Sequence, residues 1–156
     1  MPPAAPPIRE QIERAVAARL VTIVEGPDYF FTITPERLTR EMLDLEHFKY
    51  QALLREGPIL GVMRGSGSTF DPDYSQTSES HAHRFALWGY VYSGIEDDPV
   101  NDLLNRLWQD ATKCLLLDRT LAGLAKMLLT PDGPMDTDDG AKEPYGVFRQ
   151  HWVAHT

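Results

Sequence analysis

The chain holds one cysteine, Cys114, among 156 residues. No intrachain disulfide can form, and a reducing compartment fits such usage. Positive charge is scarce as well: 15 Lys and Arg stand against 23 Asp and Glu, a formal net charge of −8 with a pI near 5.0. The basic residues form no cluster along the chain. A surface of this sign repels phosphates, so a groove that grips nucleic acid is not expected, although a channel through which DNA slides is compatible with it. No apolar run approaches the ~20 residues that span a bilayer, and MPPAAPPIRE has no basic start followed by an apolar stretch. Neither a membrane span nor a secretion signal is therefore expected. Internal repeats are lacking too.

What is present is ordinary for a globular protein: 42% hydrophobic and 24% charged residues. The length suits one domain with a real core. The expected organisation is a proline-rich extended arm over residues 1–7 and one domain over 8–156.

The clearest helical period lies between Asp97 and Leu129. Val100, Leu103, Leu104, Leu107, Ala111, Cys114 and Leu115 recur at steps of three and four, which builds one apolar stripe. Asn101, Asn105, Gln109, Asp110 and Lys113 are assigned to the opposite face. Asp98 is a candidate N-cap and Pro99 the first helical residue. After Leu117, DRTLAGLA reads as a break and restart, with Asp118 or Thr120 as cap and Gly123 as a flexible point.

A first amphipathic helix is expected over IREQIERAVAARLVTIV, with Ile8, Ile12, Val16, Leu20 and Ile23 inward and a Glu10–Arg14 pair outside. YFFTIT, Tyr29 to Thr34, reads as a strand because it is aromatic and β-branched. The segment from Glu36 to Gly57 fits helix and extended chain equally. Ile59 to Met63 reads as a buried strand. Ser66 to His83 reads as a long polar loop, either functional or ordered only on assembly.

RFALWGYVYSG is apolar on both sides of a strand, as a central strand covered on both faces would be. Leu124 to Leu129 ends a helix or begins a strand. YGVFRQHWVAHT is a last strand, with Phe148 and Trp152 placed on the core side. The sum is an α+β domain: an antiparallel or mixed sheet of about four strands, packed by an N-terminal helix and a long central helix, with extended loops.

Chemistry is thin. His81 and His83 would share a strand face, but two ligands fall short of a metal site, and solvated loop histidines are the plainer reading. Asp132, Asp136, Asp138 and Asp139 do not follow the calcium-loop spacing. Cys114 sits in an apolar stripe with no histidine placed near it and reads as an inert buried thiol. Gly65-Ser66-Gly67-Ser68 lacks the Lys-Ser/Thr of a phosphate loop. Asp118-Arg119 reads as a salt-bridged corner rather than a catalytic pair. The row Trp88, Tyr90, Tyr92 could stack bases, but the acidic chain favours packing or a protein interface. No catalytic residue, metal site or cofactor is expected, and the chain is not read as an enzyme. The reading from another class is a small metal- or ligand-binding α+β domain built on His81, His83 and the acidic turn.

One resemblance spans nearly everything after the arm. The order runs from the IREQIERAVAARL helix through RFALWGYVYSG to LLNRLWQDATKCLLLDRTLAGLA, an acidic gap, and PYGVF opening the last strand. This series resembles the tail terminator (minor tail protein U-like) family of long-tailed bacteriophages. The family's helix ends in a D-R-T-L-G-G-L-A-like corner, and Ala122 stands here where a glycine is usual. The resemblance implies a virion structural protein of the tail and neck, assembled in the host cytoplasm. It implies a ring, typically a hexamer, that caps the tail tube and stops its polymerisation. The implied partners are further copies of itself, the tail tube protein and a head-completion or neck connector protein; genomic DNA only passes through the lumen. A head-completion or neck adaptor is the neighbouring alternative. A closed ring needs two different patches that meet head to tail. Trp88, Tyr90 and Tyr92 are one candidate interface patch, and Asp118 with Arg119 is another.

Overall fold

The structure, a computed structural model, describes residues 3–65, 82–94, 98–125, 127–129, 135–138 and 144–156. Three helices, α1 (Ile8–Leu20), α2 (Phe48–Glu56) and α3 (Val100–Leu116), join a mixed sheet. Its strands are β1 (Leu38–Thr39), β2 (Ile59–Arg64), β3 (Ala82–Tyr92), β4 (Met127–Leu129), β5 (Asp136–Thr137) and β6 (Tyr145–His155). The order is β1-β2-β3-β6-β4, and β5 also pairs with β6. Among the described residues only β1–β2 is parallel, and the other pairs are antiparallel. This is the expected α+β class, with three short strands that carry too few residues to show a period of two.

The long pair β3–β6 is the spine, in register from Ala82 opposite His155 to Tyr92 opposite Tyr145. Its alternation separates two faces. Phe85, Leu87 and Val91 of β3 and Phe148, Trp152 and Ala154 of β6 join the main core with Leu60 and Val62 of β2. There they meet Ile12, Val16 and Leu20 of α1 and Leu104, Leu107, Ala111, Cys114 and Leu115 of α3. Phe148 and Trp152 are fully buried, as their place on the core side predicts. The second face carries a smaller cluster in which α2 lays Leu54 on Ile59 and Tyr90.

Several sequence expectations need correction. Tyr29 to Thr34 is not a strand. Ile33 donates its N–H to the Ile23 carbonyl, and the N–H groups of Phe30 and Phe31 go to a side-chain carboxylate on α3, so no ladder partner is required. α1 stops at Leu20, although Ile23 beyond it is still buried. The undecided stretch after Thr34 divides into a 3-10 turn (Pro35–Arg37), β1, a loop and α2. β3 begins at Ala82, so His83 belongs to the strand rather than to a loop. Within Leu124–Leu129, Leu124 belongs to the turn and Met127–Leu129 forms β4. Asp98 does not cap α3: its carboxylate pairs with Arg106, and Pro99 occupies the N-cap position without a side-chain bond. Among the described residues no helix restarts after Leu117; residues 119–124 form turns. Among the described residues, no helix is long and apolar enough to cross a membrane.

Candidate functional site

The second face of the sheet gathers the aromatic row. Alternation sends Ala86, Trp88, Tyr90 and Tyr92 of β3 to the side away from α1 and α3, next to Tyr145, Val147 and Arg149 of β6. Trp88 stacks on Tyr90 with centroids 6.3 Å apart, and Tyr92 tilts against Tyr145 at 5.3 Å. The Arg149 guanidinium lies 5.7 Å above the Trp88 ring and pairs with Asp136 of β5 at 2.9 Å. Trp88 and Tyr92 are half-buried, but Tyr90 is only 2% exposed beneath α2. The structure thus places Tyr90 as the anchor of the row, with Trp88 and Tyr92 reaching solvent on either side.

Burial pushes the Tyr90 phenol up to about 12, against a weaker opposing pull from the Leu43 backbone. The neutral form is the one the fold prefers. Its stabilising contribution is complete below the unfolded value near 10 and is lost as pH rises toward 12. Melting temperature should therefore fall between pH 10 and pH 12, and Tyr90→Phe should blunt that fall. Thermal melts of both proteins across this range check it, and parallel curves would refute the assignment.

The second candidate patch is the corner after α3. Asp118 accepts hydrogen bonds from the Thr120 N–H (3.0 Å), the Thr120 hydroxyl (2.7 Å) and the Ala122 N–H (2.9 Å). These bonds, the Thr120 hydroxyl first, hold its carboxyl below the usual range. Asp118 thus braces a turn rather than capping a second helix, and no ion pair joins it to Arg119. Three residues in a row have positive φ: Leu121 (51°), Ala122 (60°) and Gly123 (88°). Such angles are strained for side chains with a Cβ. Leu121 is 3% exposed, so its burial in the core offsets the strain.

Ala122→Gly should relieve strain and raise stability by about 0.5 kcal/mol, the relief of ~1 less the added freedom of the unfolded chain. Gly123→Ala should cost about 1 kcal/mol although open space surrounds the site. Urea titration of both variants tests the pair, and equal signs would refute the corner's geometry.

Sequence reasoning missed Asp110. The sequence pattern puts it on the polar face, yet it is 1% exposed. Both carboxylate oxygens accept from the Phe30 N–H (3.1 and 3.0 Å), and Oδ2 also accepts from the Phe31 N–H at 2.9 Å. One turn later Lys113 donates to the Asp28 carbonyl at 2.9 Å and lies 5.4 Å from the Tyr29 ring centroid. One turn earlier Arg106 lies 5.8 Å from the Phe30 ring centroid. Residues 106, 110 and 113 of α3 thus form a polar ridge that clamps the segment after α1. The signal was available: 110 is 107 plus three and 114 minus four, so it shares the stripe of Leu107 and Cys114. The clamped segment presents Phe30 and Val24, which are 49% and 61% exposed.

Cys114 is buried, as expected, and donates to the Arg19 carbonyl at 3.1 Å. His83 is buried on the core side and lies 3.4 Å from the Thr156 hydroxyl. His81, Asp132 and Asp139 lie outside the described residues, and Asp136 belongs to β5. Among the described residues no group of three His, Cys, Asp or Glu side chains is placed to hold a metal ion. The arrangement offers surfaces for binding: an aromatic sheet face, a braced corner and a clamped loop. No family model and no curated protein matches the chain.

Proposed function

We propose that this chain is a tail terminator: a virion structural subunit that forms a ring, hexameric by the resemblance, at the head-proximal end of a phage tail tube. The ring stops tube polymerisation and presents a surface to a head-completion or neck protein. DNA passes through its lumen without being gripped, in keeping with the net charge of −8.

The observation that carries this reading is the corner after α3. The resemblance puts a glycine where this chain has Ala122, and Ala122 adopts φ 60°, the region glycine favours. Ala122 therefore holds a conformation that a glycine at this place would adopt without strain, which supports the resemblance. The long helix before the corner and the long strand that begins at Tyr145 are in keeping with the order of the motif. The partly open aromatic face of Trp88 and Tyr92 supplies one patch for a head-to-tail contact.

Electron microscopy of particles containing this protein tests the proposal, with the subunit located by a label. A ring between tail tube and neck is expected. Density one layer nearer the head would make the chain a neck adaptor, and its absence from any particle would overturn the virion reading.

A further inference from the structure

Among the described residues, two features stand open to solvent. The first is a groove of about 610 Å³ between β1 and α2, lined by Leu38, Leu43, Tyr50, Leu53 and Ile59. Met42 and Phe48, chain neighbours of the lining residues Leu43 and Lys49, are 60% and 76% exposed. β1 is the outer strand of the sheet at this edge. An apolar concavity with exposed hydrophobic residues adjacent in the chain suits a docking site. Its charged lining is Glu36, Glu56 and Lys49, with Glu56 paired to Arg37 at 3.7 Å, and Glu41, Asp44 and Glu46 on the same loop as Leu43 make the surroundings acidic on balance.

The second feature is the proline arm. Pro3 to Pro7 is exposed at every residue. Pro7 has φ −55° and ψ 149°, the polyproline II region. The Gln11 side chain donates to the Pro6 carbonyl at 2.7 Å, which ties the arm's root to α1. From Pro3 to Arg9 the segment PAAPPIR carries no acidic residue and one basic one. Polyproline segments dock in apolar grooves with aromatic walls, because they are already extended and lose little entropy on binding. Five such residues reach about 15 Å at ~3.1 Å each.

We propose that the groove between β1 and α2 receives the Pro3–Pro7 arm of a second copy of this chain. Apolar prolines and alanines lie on Leu38, Leu43, Leu53 and Tyr50, and the lack of any acidic residue in the arm suits the groove's acidic surroundings. Arm and groove are different patches, so the contact is head to tail and suits a ring. The inference rests on the self-association in the function proposed above, and it names one subunit contact.

Sedimentation velocity over a range of concentrations tests it on three chains: the full chain, one lacking residues 3–7, and Leu43→Glu. The arm deletion lies outside the folded core, and circular dichroism verifies that Leu43→Glu folds. The full chain should self-associate, each variant alone should do so at least tenfold more weakly, and a mixture of the two should form heterodimers. Equal association by full and arm-deleted chains would overturn the proposal. So would a monomeric full chain, whether or not a peptide of residues 3–10 binds the arm-deleted chain, since binding in that case means docking within one subunit. An arm-deleted chain that still enters a tail ring would refute this contact and leave the terminator reading standing.

Discussion

Replacing Gly89 by alanine is expected to destabilise the fold by about 3 kcal/mol, the upper end of the usual overpacking cost. The simple expectation has the opposite sign, because alanine within a strand usually gains roughly 0.5–1 kcal/mol over glycine. Gly89 lies directly opposite Phe148 in the β3–β6 register. A Cβ there would stand 2.0 Å from Phe148 Cε1 and 2.5 Å from two more ring carbons. The ring cannot retreat, since Phe148 is fully buried among the α1 and α3 side chains. The aromatic ring covers the glycine and takes the volume a side chain would fill. Phe148→Leu should vacate that volume, so Gly89→Ala in the Phe148→Leu background should cost about 1 kcal/mol or less. Urea denaturation of the four proteins gives the coupling, expected near 2 kcal/mol. Additive costs would show that the ring is not what excludes the Cβ.

Asp110→Ala is expected to cost about 2–4 kcal/mol. It leaves the Phe30 and Phe31 N–H groups without an acceptor in a half-buried seam, at roughly 1–3 kcal/mol each. Removal of a buried charge returns part of that. Asp110→Asn should be milder, because one oxygen at the Oδ2 position can accept from both N–H groups. Burial pushes the Asp110 carboxyl above its usual value, against the opposing pull of those two N–H groups and of Lys113. A raised carboxyl favours the neutral form: its contribution is complete below the unfolded value near 3.9 and fades as pH rises through the folded value. Wild type should therefore gain on Asp110→Asn as pH falls from 7 toward 4. Hydrogen exchange at residues 24–33 reads the local part, and faster exchange there than in β3 is expected for Asp110→Ala. Unchanged exchange would show that the carboxylate does not hold the segment.

The two long strands and the two long helices were readable in the linear order because each carries a full period. α1 and α3 repeat apolar residues every three or four positions, and β6 sets Phe148, Trp152 and Ala154 on one side against Arg149 and His151 on the other. In β3 both alternating sets are apolar, and both faces proved to be packed, one by α1 and α3 and the other partly by α2. The candidate patches were legible as residue types. Their standing was not: Tyr90 is an anchor beneath α2, whereas Trp88 and Tyr92 are half-buried.

What the sequence by itself determined is the α+β class, the strand faces and the helical stripes, since these follow from periods of 2 and 3.6 in the side chains. Tertiary structure alone decided the fate of Tyr29 to Thr34. Its aromatic and β-branched residues have strand propensity, but its N–H groups find a carboxylate 79 and 80 positions away in the chain. It also decided that Gly89 must stay a glycine, because only the folded register places Phe148 over it. Local propensity is a fraction of a kcal/mol per residue, whereas a buried hydrogen bond or a steric overlap is several times that, so long-range partners prevail wherever the two disagree.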